Sequence, residues 1–261
     1  MATTTDSPRQ RAGEHVCVAY DEPAAFDSAA REFLAAGIAA GEQLWYIAPT
    51  PAPRGWDFAP ELVRLGDHYP EGAVIDPAAG VAAYAAATER AIAAGYRGLR
   101  IAAEATNLVR TPHQLAAFTR YEHLVDRYMR DAPFSALCGY NRGELGGAAV
   151  AELACLHPIS DAPFRLFAVP GDVDAGLAGE LDWSCRDLFD QALDRADLRP
   201  EGKELIIDAR QLTFIDHNSL ADLDAYARRR GVTAVLRTRR SVPARLTALL
   251  RLTALRVEHV R

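Results

Sequence analysis

Four polar side chains in a row, Asp216, His217, Asn218 and Ser219, follow an apolar run (Leu212, Phe214, Ile215) and precede a helical pattern. At a strand-to-helix corner, free N–H groups and the positive end of the helix dipole favour capping carboxylates and anions. The corner therefore reads as a cap formed by Asp216 and Asn218, as a phosphorylation switch, or as a reactive site. His217 at a helix N-terminus is disfavoured as a cation, leaving a neutral imidazole able to hydrogen-bond or take a proton. A second set lies in the first half of the chain: His15, Cys17, Tyr20, Glu104, Tyr140 and Arg142, on or at the ends of predicted strands. Ligands settle at the carboxyl ends of strands in open α/β sheets. Tyr20, Glu104, Tyr140 and Arg142 fit those ends best, while His15 and Cys17 sit earlier on their strand. Together the six form the expected ligand-binding set. A satisfied core histidine and a packed thiol are the alternative for His15 and Cys17, and His157, before Pro158, reads as structural. Cys17, Cys138, His15 and His157 are soft-metal ligand types, but their separations along the chain give no ligand spacing. No metal and no cofactor are expected.

The elements that must position these residues alternate between strand and helix. After a polar segment 1–13, expected to be disordered, "HVCVAY" (15–20) reads as a strand. The helix that follows has Asp21 as its expected cap, Pro23 in its first turn and Gly41 at its end. Strands are predicted at 43–49, 73–76, 98–105 and 134–141, with helices over 78–94, 111–130 and 144–156 between and after them; 50–60 reads as a loop. Such alternation predicts a mainly parallel sheet flanked by helices. From Pro163 a second unit is predicted: two strands joined through a Gly-Asp turn, a helix capped by Ser184 or Asp182, a buried strand at 204–209, the corner, and a helix ended by Gly231. A strand at 232–238, a helix at 241–252 and a last strand complete it.

Composition narrows the function. The chain of 261 residues has one lysine, Lys203, so its first 202 residues cannot supply the lysine of a Walker-A loop or of a Schiff base. P-loop hydrolysis of ATP is not expected. No Ser/His/Asp order or G-x-S-x-G elbow occurs, and no catalytic residue is assigned. The four cysteines are scattered, which fits reduced thiols. No apolar run has the length of a membrane span and the first residues lack a signal-peptide core, so a cytoplasmic location without membrane contact is expected. Charge is polarised: residues 161–224 hold 15 acids and 6 bases, and 225–261 hold 10 bases and one acid. Solvated helix faces that attract each other explain this, and an acidic chain without aromatic interleaving argues against direct nucleic-acid binding.

Two family resemblances follow from quoted stretches. "HVCVAYDEPAAFDSAAREFLAAGIAAGEQLWYIAP", "LRIAAEA" with Glu104, and "ALCGYNRGEL…ACLHPI" resemble the MEDS domain, covering 14–160. That resemblance implies a RecA/KaiC-like α/β fold without a working P-loop and a role in sensing small organic molecules. Where the family commonly has an apolar-Ser-Trp run after the glutamate, this chain has Ala105, Thr106 and Asn107. "LAGELDW", "ELIIDARQLTFIDHNSLADLDAYARRRGVTAVLRT" and "VPARLTALLRL" resemble the STAS domain of anti-sigma-factor antagonists over 163–261. In that family a serine after the aspartate is phosphorylated by a kinase-type partner; here His217 stands in its place and Ser219 replaces a glycine.

The expected protein is thus a two-domain regulator. The first domain binds a small organic molecule, and the second contacts a protein partner such as an anti-sigma factor or kinase-like regulator through Asp216, His217, Asn218 and Ser219. A homodimer is compatible with this. The alternative is a noncanonical enzyme or small-molecule carrier that uses the first pocket or the altered corner.

Overall fold

The computed structural model describes residues 13–48, 55–64, 72–200 and 202–260. All but the last residue of the polar segment 1–13 lies outside them.

The first unit comprises β1 (His15–Tyr20), α1 (Pro23–Ala40), β2 (Gln43–Ile47), β3 (Glu61–Val63), α2 (Pro77–Ala93), β4 (Leu99–Glu104), α3 (Pro112–Asp131), β5 (Phe134–Asn141) and α4 (Arg142–Ala154). Its five strands run parallel in the order β1-β5-β4-β2-β3. The apolar period of α1 buries Phe26, Ala30, Phe33 and Leu34 against Tyr46, Ala102 and Leu137 on one face of the sheet. Gly139 permits this approach, because a Cβ there would lie 2.3 Å from the Phe26 ring. On the other face α2, α3 and α4 cover Ile101, Ala136, Cys138 and Tyr140.

The connection from β1 to α1 is two acidic residues, Asp21 and Glu22. Two carboxylates at a helix start repel phosphate, and so agree with the absence of a Walker-A lysine.

The second unit comprises β6 (Phe164–Phe167), β7 (Ala175–Leu181), α5 (Arg186–Ala196), β8 (Glu204–Ile215), α6 (His217–Arg230), β9 (Thr233–Thr238), α7 (Val242–Leu249) and β10 (Leu255–His259). Its sheet runs β10-β9-β8-β7-β6, parallel except for the antiparallel β6–β7 pair. The fold is therefore mixed α/β in both units, as the alternating pattern predicts. The register of β7 on β8 shifts around Gly179, whose φ is 88°. A Cβ there would meet the Pro163 carbonyl oxygen at 2.2 Å, so the bend that carries β7 toward the corner requires glycine.

The units pack directly: α3 and α4 meet α5, and Cys155 and Leu156 belong to the second unit's core. The oppositely charged segments also meet, with Arg230 2.8 Å from Asp197 and Arg229 3.7 Å from Asp194. Among the described residues no helix is long and apolar enough to cross a membrane.

Local expectations failed at helix starts and short strands. Asp21 does not cap α1; the cap position is Glu22, without a side-chain bond. Residues 73–76 are not a strand: Asp76 accepts the Ala79 N–H and starts α2, and the fifth strand is Glu61–Val63. A helix start offers that carboxylate a free N–H, which an extended ladder would not. Of the two caps expected before α5, Asp182 holds, accepting the Ser184 N–H and capping the short turn 183–185 that leads into the helix.

Candidate functional site

Parity along the strands divides the expected ligand-binding set. Side chains of a strand alternate between faces, so His15 and Cys17 of β1 point with Cys138 and Tyr140 of β5 toward α3, whereas Tyr20 and Glu104 point with Ala102 and Leu137 toward α1. Arg142 joins neither group. It is half-buried at the start of α4, 3.1 Å from Asp21 and 3.7 Å from Asp161. Tyr20, Glu104, Tyr140 and Arg142 therefore do not converge on one cavity.

At the carboxyl edge, Glu104 acts as a knot. Its Oε1 accepts the Tyr20 hydroxyl at 2.8 Å, the Thr106 backbone N–H at 3.1 Å and the Thr106 hydroxyl. Thr106 Oγ1 in turn accepts the Asn141 N–H at 2.9 Å. These bonds tie the ends of β1, β4 and β5 together, and burial and the adjacent carboxylate raise the Tyr20 pKa.

The other face holds a sealed polar cluster, built by a stripe on α3. Leu115, Phe118, Thr119, Glu122, Val125, Asp126 and Met129 follow the helical period and are all buried. The stripe carries Glu122 and Asp126 to either side of His15. The His15 Nδ1–H donates to Asp126 Oδ1 at 3.1 Å, and His15 Nε2 lies 3.1 Å from Glu122 Oε2 and 3.9 Å from Cys138 Sγ. The Tyr140 hydroxyl donates to Glu122 Oε1. His157 stacks on His15 at 4.0 Å between ring centroids, donates from Nδ1 to the Leu153 carbonyl at 2.9 Å, and leaves Nε2 3.7 Å from Glu122 Oε2. That Nε2 is buried without a hydrogen-bond partner.

Electrostatics follow from these contacts. Burial opposes a His15 cation, but Asp126, Cys138 and Glu122 raise its pKa well above the usual imidazole value. Burial and the facing His15 push His157 down to about 4, so it is neutral. Burial works against the Glu122 carboxylate too, yet the two imidazoles and the Tyr140 hydroxyl hold its pKa below the ordinary value. Burial pushes the Cys138 thiol up to about 11.

Beside the cluster, Cys138 also borders a cavity of about 30 Å³ whose other walls include Ile101, Ala103, Leu108, Phe118 and Ala136. Space of that size admits a water or a molecule of a few heavy atoms, far below the roughly 300–1,000 Å³ of a drug-sized pocket.

Sequence reasoning missed Glu122 and Asp126. The signal was present: two acids occupy positions of the α3 stripe that are otherwise filled mainly by large apolar side chains.

At the corner, Asp216 is the cap and accepts the Ser219 N–H at 2.8 Å. Asn218 lies inside α6 and His217 is exposed. Ser219 is buried, and its hydroxyl has no hydrogen-bond partner. The hydroxyl of the one serine at the corner is therefore closed off from solvent.

The first unit is thus a parallel α/β sheet with acidic residues where a phosphate loop would start and with a buried polar cluster beside a small apolar cavity. The family model MEDS, the methanogen/methylotroph, DcmR sensory domain, matches residues 14–158, and the chain belongs to that family. No curated protein matches the chain.

Proposed function

We propose that the protein is a regulator in which the MEDS domain takes up a small organic molecule and the second unit, acting as a STAS-like module, passes its presence to a protein partner. The observation that carries this reading is the Asp126 carboxylate. It holds His15 of the buried cluster with one oxygen and accepts the Ala168 N–H, just after β6, with the other at 2.5 Å. A change in the cluster is thereby felt in the backbone of the second unit. The cavity beside Cys138 supports a ligand of a few heavy atoms, mostly apolar. Complete burial of the cluster suits binding better than turnover of a bulk substrate.

The output face is the corner. Trp183 is 79 % exposed, and Phe214 and Val242, about half exposed, line one shallow hollow with Thr213 and Ile215 just before the corner. Exposed aromatic and aliphatic groups rimmed by polar ones are what a protein partner anchors on. An anti-sigma factor or kinase-like regulator is the expected partner, bound without a phosphoserine cycle at this corner.

The test is ligand-observed NMR with a panel of one- to three-carbon alcohols, thiols and halides. Saturable binding to the full chain that Ala103→Val with Ala136→Val abolishes is the expected result. Binding that survives filling of the cavity, or no binding by any member, would overturn the ligand assignment. Partner contact is tested separately by calorimetry against a kinase-type anti-sigma factor, with Trp183→Ala and Phe214→Ala expected to weaken it.

A further inference from the structure

We infer that His15 Nε2, His157 Nε2, Glu122 Oε2 and Cys138 Sγ form a binding site for a divalent, borderline-soft metal ion of the Zn²⁺ class. This goes beyond the sensory reading and does not rest on it.

The four ligand atoms all lie within 4.8 Å of one another and all four residues are buried. Zinc bond lengths to N, O and S set ligand–ligand separations of roughly 3.3–3.8 Å around a tetrahedral ion. The separations 3.1 Å (His15 to Glu122), 3.7 Å (His157 to Glu122) and 3.9 Å (Cys138 to His15) bracket that range. Only the wider pairs need to close, by up to about 1 Å.

The orientation of the side chains is the stronger observation. Metal-bound histidines donate their other ring N–H to a carboxylate or backbone carbonyl, and metal-bound carboxylates are themselves hydrogen-bonded. All three conditions are met: His15 Nδ1–H on Asp126, His157 Nδ1–H on the Leu153 carbonyl, and the Tyr140 hydroxyl on the far oxygen of Glu122. A metal-free ion pair of His15 with Glu122 and Asp126 accounts for those three residues alone. It leaves His157 Nε2, a fully buried acceptor aimed at Glu122, with no partner. A cation bound there satisfies it. Two nitrogens, a thiolate and a carboxylate suit zinc and its neighbours, and do not suit magnesium or calcium. Coordination forms bonds from His15 Nε2 and Cys138 Sγ to the ion, and the protons those atoms carry leave to solvent.

Chain spacing hides the site, since its ligands come from β1, α3, β5 and the turn after α4. Cys17, next to Cys138 across the strand pair, lies outside the set and serves as a control.

The experiment uses the full chain, stripped with a chelator and titrated with ZnCl₂ or CoCl₂. One ion per chain, a rise in melting temperature, and a thiolate-to-cobalt charge-transfer band are expected. Cys138→Ser should lose the band and Cys17→Ala should keep it. Asp126→Asn, which weakens the support of His15 and leaves all four ligand side chains in place, should weaken zinc affinity by about 10–100-fold. Failure of the wild-type chain to bind stoichiometrically overturns the site whatever the variants do. So does a charge-transfer band that persists in Cys138→Ser or disappears in a folded Cys17→Ala.

Discussion

Asp126 and Ala168 join the two units through a single buried carboxylate: Oδ2 accepts the Ala168 N–H at 2.5 Å while Oδ1 holds His15 at 3.1 Å. The carboxylate thus fixes an imidazole in one unit and a backbone amide in the other. Asp126→Ala strands a buried cation and an amide donor together, which should cost about 3–5 kcal/mol. Asp126→Asn retains an acceptor for one of them and should cost less. Urea unfolding of the two variants measures this, and a loss under about 1 kcal/mol for Asp126→Ala would show that the bridge carries little energy.

His123, next to Glu122 on α3, is buried with neither ring nitrogen hydrogen-bonded, and burial lowers its pKa from 6.5 to about 4. Between those values the unfolded chain takes up a proton that the folded chain refuses. Its contribution to stability is therefore complete above about pH 6.5 and is lost as the pH falls toward 4, reaching about 2 kcal/mol at pH 5. His123→Leu removes the titrating group. The drop in stability from pH 7 to pH 5, measured by urea unfolding at both, should shrink by about that amount relative to wild type; an unchanged drop would show that His123 does not titrate in this way.

The sequence made the alternation of strands and helices legible, because long apolar runs and helical stripes are dictated by burial on both faces of a sheet. What it did not make legible depends on partners distant in the chain. The face on which Tyr20 or Tyr140 lands follows from parity once strand pairing is known, but the meeting of His15 with Glu122 and His157 needs β1, α3 and the turn after α4 in place. Two acids on the α3 stripe were the readable trace of that meeting. Asp76 illustrates the other failure, since a carboxylate beside an apolar run fits a strand end, a turn or a helix cap equally well until the backbone is set.

At the carboxyl edge, Glu104 takes three donors on one oxygen. Tyr20→Phe removes one charge-assisted bond and should cost about 1.5–3 kcal/mol. Glu104→Ala leaves three donors without their acceptor and should cost more than Tyr20→Phe, with Glu104→Gln between wild type and Ala. Thermal unfolding ranks them. If Tyr20→Phe proved as damaging as Glu104→Ala, the tyrosine and not the carboxylate would be the knot.

The corner yields two substitutions of opposite sign. Asp216→Ala deletes the cap on the Ser219 N–H and should cost about 1 kcal/mol. Ser219→Ala keeps that N–H and removes a buried hydroxyl that has no partner, so it should leave stability unchanged or raise it by up to about 1 kcal/mol. The same burial forecasts the chemistry: incubation of wild type with a kinase-type anti-sigma factor and labelled ATP should leave Ser219 without phosphate. Label on Ser219 in wild type, absent from Ser219→Ala, would mean that the first turn of α6 opens in solution and that the corner still works as a switch.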